Sequence, residues 1–128
     1  MDLSAAASRD LADVLDSALA GRREAVMGRF DAVVARAGLP GVYDVAWRLA
    51  AAAIGPDLAR GAWRLDFPGI EYAPYETRWV ARFISARANA DPSTATALFH
   101  AARADGHLTD CLLTLAGSAV ATIRRRSD

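Results

Sequence analysis

From Cys111 to Ile123 the chain carries no charged residue, although acids and arginines are scattered through the rest of it. Wound into a helix of about 3.6 residues per turn, Leu108, Leu112, Leu115, Ala119 and Ile123 form one stripe. Cys111, Leu113, Ala116 and Val120 widen that stripe past half the circumference. A helix apolar over so much of its surface must be covered on several sides. It is shorter than the roughly 20 apolar residues of a membrane span, so other helices of the same chain are expected to cover it. The predicted fold is therefore all-α: a single compact domain over residues 1–128, with five or six antiparallel helices packed around the C-terminal one.

The remaining helices are marked out by their punctuation. Ser4 is a candidate cap for a helix from Ala5 to about Ala20, with Ala7, Leu11, Val14, Leu15, Ala18 and Leu19 on the inner face. Its outer face carries Asp10, Asp13 and Asp16, and Gly21 ends it. A second helix from about Arg22 to Ala37 turns Val26, Met27, Phe30, Val33, Val34 and Ala37 inward. Gly38-Leu39-Pro40-Gly41 closes it, since glycine takes the left-handed cap and proline cannot continue a helix. Arg22, Arg29 and Arg36 recur every seven residues along one edge. The acidic face of the first helix is their nearest candidate partner, against the alternative of a solvated arginine edge.

A third helix spans Val42 to Ile54, with Tyr43, Ala46, Trp47, Ala50 and Ile54 inward and an Asp44–Arg48 pair one turn apart. Gly55-Pro56 stops it, and Asp57 can cap a short turn as far as Arg60. Residues 61–75 read as an ordered loop. A fourth helix runs from about Glu76 to Asn89 with Trp79, Val80, Phe83 and Ile84 inward. Asp91-Pro92 then opens a fifth in the favoured order of acidic cap and first-turn proline. Its apolar residues are Leu98, Phe99, Ala101 and Ala102, and Asp105-Gly106 ends it. Arg124, Arg125 and Arg126 fall in the last turn of the final helix, where cations complement the dipole. No 34-residue repeat runs through the chain, but Ala97–Ala102 followed by Leu112–Ala116 resembles the helix-B to helix-A junction of a tetratricopeptide repeat. The resemblance implies stacked antiparallel helices; the Trp-Leu-Gly-Tyr set of that repeat is absent.

Composition narrows function mainly by exclusion. Basic and acidic residues number 15 each, so the net charge is zero and bulk electrostatics would not draw the chain onto nucleic acid or an anionic membrane. All the basic residues are arginine, which removes Schiff-base and lysine-nucleophile chemistry. With its abundant alanine, that bias resembles the product of a high-GC bacterial genome. One cysteine allows no internal disulfide, and Met1-Asp2-Leu3-Ser4 is not a secretory leader, so a cytoplasmic protein is expected. His107, Asp110 and Cys111 match no zinc spacing, Ser118 is not in a Gly-x-Ser-x-Gly elbow, and no glycine-rich phosphate loop occurs. No cofactor or metal is predicted, and Cys111 is expected to be buried and inert.

The loop is the better place to look for function. Trp63, Phe67, Tyr72, Tyr75 and Trp79 place five of the chain's ten aromatics within 17 residues. Trp, Tyr and Arg dominate binding hot spots. Arg78 and Arg82 stand one turn apart with no acid three or four residues away on their own helix. Asp66 or Glu71 is expected to dock on one of them and fix Trp63, Tyr72 and Tyr75 into a binding face. Trp63, Asp66, Phe67, Glu71, Tyr72, Tyr75, Arg78 and Arg82 are therefore the candidate site residues. The chain reads as a small non-enzymatic interaction or adaptor protein whose partner is another protein or itself, as a homo-oligomer. The alternative is a helical small-molecule binder or enzyme with its pocket under the 61–75 loop, and the loop could equally be a lid on the core.

Overall fold

A computed structural model of the chain describes the backbone of residues 3–54 and 72–127, and the side chains of 6–54 and 72–124. It contains five helices among the described residues: α1 (Leu3–Leu19), α2 (Arg23–Ile54), α3 (Tyr75–Ala88), α4 (Pro92–Ala104) and α5 (Leu108–Ser127). The protein is an all-α single compact domain. Among the described residues no helix is long and apolar enough to cross a membrane.

α5 touches each of the other four helices, as its uncharged surface requires, and α2 does the same. The core is thus organised around two helices rather than one. Cys111, Leu115 and Ala119 of α5 are fully buried together with Val45, Leu49 and Ala50 of α2. Thr122, a buried polar residue on α5, donates its hydroxyl hydrogen to the carbonyl of Ala53 at 2.9 Å, which satisfies it where water is excluded.

The expected break in α2 is present. Gly38 adopts φ 68° and ψ −167°, so the element is two helical segments joined at a kink. Gly41 is needed there for a second reason: a Cβ at that position would lie 2.5 Å from the Cβ of Ala37. Before the kink Val26, Phe30 and Val33 are buried, but Met27, Val34 and Ala37 are exposed, contrary to the sequence reading. Beyond the kink Ala46 and Ala50 are buried as expected, and so are Val42, Val45 and Leu49, which the periodicity does not pick out. That segment is covered on more than one side, so its apolar arc is wider than a single stripe.

Two of the three seven-spaced arginines bridge to α1. Arg29 pairs with Asp13 at 2.5 Å, and Arg36 pairs with Asp10, whose side chain is only 8% exposed. Partner numbers fall along α1 as they rise along α2. The third, Arg22, enters no ion pair among the described residues. Arg48 holds Asp44 at 3.2 Å as expected and also donates to the hydroxyl of Ser8.

The turns after α1, α3 and α4 are short and share one closure. At Gly21 (φ 71°), the Arg22 amide donates to the carbonyl of Ser17 and the Gly21 amide to that of Ala18, the paired bonds of a Schellman motif. Gly106 (φ 75°) repeats this with His107 and Ala102. Between α3 and α4 the left-handed position is filled by Ala90 (φ 52°), a strained choice for a residue with a Cβ. Asp91 then caps α4 through the amide and hydroxyl of Thr94, which together hold its carboxyl below the usual range, the hydroxyl most strongly. Several local expectations are corrected. α1 begins at Leu3, which puts Ser4 inside the first turn; Leu19 and Ala101 are exposed. Arg124 lies in the last turn of α5 as expected, and it also donates to the Leu19 carbonyl at 2.9 Å, where it caps α1. The side chains of Arg125 and Arg126, and the turn at 57–60, lie outside the described residues.

Candidate functional site

The first turn of α3 and the α4–α5 turn meet at one surface. Pro74 precedes α3, where its missing amide costs nothing, and its carbonyl accepts from Thr77 and Arg78 to start the helix. This sets Tyr75 at the helix start. Across from it the left-handed Gly106 turns the chain so that Asp105 and His107 both face Tyr75. The Tyr75 hydroxyl donates to Asp105 Oδ2 at 2.7 Å, and its ring stacks on His107 with centroids 4.3 Å apart and planes 19° from parallel. Tyr75 is therefore held at both ends of its side chain.

That hydrogen bond first, then burial and the Asp105 charge, push the Tyr75 hydroxyl up to about 12. Burial, with Glu76 and Asp110 adding to it, likewise pushes the Cys111 thiol up to about 12. Both groups stay protonated at neutral pH, so neither supplies a base or nucleophile there. In stability terms both favour the folded state below their ordinary values, 10.0 and 9.0. Their contribution is lost as pH rises from there toward about 12, because the unfolded chain sheds those protons first. Among the described residues no group of three or more His, Cys, Asp or Glu could hold a metal ion.

Of the eight candidate residues, Trp63, Asp66, Phe67 and Glu71 lie outside the described residues, and so does the expected docking of Asp66 or Glu71 on Arg78 or Arg82. The other four come from one short stretch. Tyr72 is 87% exposed, Tyr75 and Arg78 are half-buried, and Arg82 is exposed. Tyr75, Arg78 and Arg82 share a stripe of α3. Neither arginine enters an ion pair among the described residues, and the Arg78 Nε is shielded from water without an acceptor. Trp79 faces away: it is buried, stacks on Phe83 at 4.6 Å and donates its indole N–H to the Leu98 carbonyl. It belongs to the core.

The sequence does not point to Asp105 and His107 as partners of Tyr75: Asp105-Gly106 reads there as a helix end, and His107 is considered for metal binding or as a partner of Cys111. A second cluster was also missed. Arg87 lies 4.8 Å over the Trp47 ring, and Tyr43 stacks on that ring at 6.2 Å. Because Tyr43 also meets Phe83 and Phe99 edge-on, this cluster ties α2 to α3 and α4. The chain matches no known protein family, no curated protein and no solved structure.

Proposed function

We propose that the protein is a small non-enzymatic interaction protein that binds a protein partner, or another copy of itself, through the face carrying Tyr72, Tyr75, Arg78 and Arg82. One observation carries the reading: Tyr72 is 87% exposed three positions before a Tyr75 fixed by Asp105 and His107. A free aromatic three positions from a pre-ordered one costs little entropy to engage and buries a large apolar area when covered. Two arginines without ion pairs on the same stripe add directional contacts.

The test is to replace Tyr72 with a photo-crosslinking phenylalanine in the living source cell. A discrete protein adduct, weakened by Arg78→Ala, is expected. If Tyr72 yields no adduct beyond that from the same probe at exposed Ala12 on α1, the reading is wrong. Saturable binding of a small molecule that protects residues 72–78 would favour the alternative, a pocket under the 61–75 loop.

A further inference from the structure

A groove of about 330 Å3 opens between the α1–α2 turn and the first turns of α3 and α5. Its apolar lining includes Val26, Leu113 and Ala116; four charged residues, Arg22, Arg23, Glu76 and Asp110, also line it. Arg23 and Asp110 approach to 3.8 Å with side chains 70% and 54% exposed, a loose surface pair. Arg22 and Glu76 enter no ion pair among the described residues. The groove therefore presents one uncommitted charge of each sign.

Gly117 lines the same groove. It sits inside α5, where glycine is unfavourable relative to alanine, yet a Cβ built on it would meet nothing within 4 Å. Packing against the described residues of a single copy does not call for glycine at this position. What glycine does there is leave the groove wide. Tyr72, 87% exposed, precedes the groove residue Glu76 by four positions in the chain.

We propose that the groove receives a second copy of this chain in a two-fold dimer, each copy's Tyr72 entering the other's groove and each Arg22 pairing with the other's Glu76. The proposal rests on the reading of the chain as an interaction protein and names its partner. A two-fold interface uses the same patch on both subunits, so that patch must contain both members of every complementary pair. Here an exposed aromatic stands four positions before a groove residue, and the partly apolar groove is lined by a cation and an anion that enter no ion pair among the described residues. A different partner would need only to complement one of each. Zero net charge also means that two copies do not repel at long range.

The experiment is sedimentation of the purified full chain at concentrations spanning about 1–200 µM, where weak transient interfaces dissociate. The wild type should associate reversibly from 13.6 kDa to twice that mass. Gly117→Phe, which fills the groove, should weaken association about tenfold or more while helical content by circular dichroism is kept. Arg22→Glu and Glu76→Arg should each be monomeric, because each places like charges face to face at both symmetry-related contacts. Mixed one to one, these two variants should associate again, since every reversed residue then meets an opposite charge. A purely structural role for either residue would not produce that rescue. A wild type that stays at monomer mass overturns the dimer while leaving the interaction reading to the Tyr72 crosslink. A dimer indifferent to Gly117→Phe, or a folded mixture that stays monomeric, overturns the assignment to this groove.

Discussion

The two segments of α2 contain similar apolar residues and have different fates. Beyond the Gly38 kink, Val42, Val45, Ala46, Leu49 and Ala50 are all buried, and Thr122 of α5 reaches across to Ala53. Before the kink Val26, Phe30 and Val33 are buried, while Met27 and Val34 are 36% and 45% exposed. The first segment lies along α1, tied by Asp13–Arg29 and Asp10–Arg36. The second segment meets α5, and its Tyr43 packs against Phe83 of α3 and Phe99 of α4. A residue's burial here is decided by how many helices surround its segment, and only secondarily by its own hydrophobicity.

The contrast is most exposed to failure at its two extremes. Leu49→Ala should destabilise by roughly 2–5 kcal/mol in urea unfolding, the range for large-to-small core changes. Val34→Ala should stay within about 0.5 kcal/mol, as at an ordinary surface position. Equal effects would mean that the segments do not differ. The glycines give a second comparison with opposite signs. Gly41→Ala must push against Ala37 and Val33 and should cost about 1–3 kcal/mol. Gly28→Ala in the first segment meets nothing within 4 Å and should stabilise by up to about 1 kcal/mol. A neutral Gly41→Ala would show that the kink relaxes freely.

The smallest effects sharpen the picture within the first segment. Arg36→Ala leaves the Asp10 carboxylate, 8% exposed, without its partner and should cost roughly 1–2 kcal/mol, discounted because Arg36 itself is half exposed. Arg29→Ala breaks a pair exposed on both sides and should cost less than about 0.5 kcal/mol. Matching values would show that burial of Asp10 does not set the difference.

The sequence was most legible where the chemistry is local. Asp91-Pro92, Gly106 and the Gly38–Gly41 stretch mark helix boundaries because caps and left-handed turns depend on adjacent residues. The centrality of α5 followed from a missing feature, charge, that any reader can count. Met27 and Val34 were placed inward because hydrophobicity alone cannot say how many neighbours a face has. Val42, Val45 and Leu49 escaped notice because a single-stripe pattern was sought on a helix segment covered on several sides. At the candidate site, Tyr72 and Arg78 stood out by residue type. The partners of Tyr75 lie 30 residues or more away on another turn, and nothing in the local sequence announces a contact of that range.

The place of α5 in the chain order has a consequence for biosynthesis. Helices α1 to α4 present apolar faces whose shared covering, α5, is translated after all of them. At about 5–20 residues per second, the interval between Ile54 and Leu108 leaves the core-facing side of α2 unmatched by α5 for several seconds on every ribosome. Early helices can pair with each other during that time, but the common core closes only when Leu112, Leu115 and Ala119 emerge. Until then the nascent chain is a substrate for chaperones and for its neighbours on the same message, and translation speed through α3 and α4 sets how long that exposure lasts.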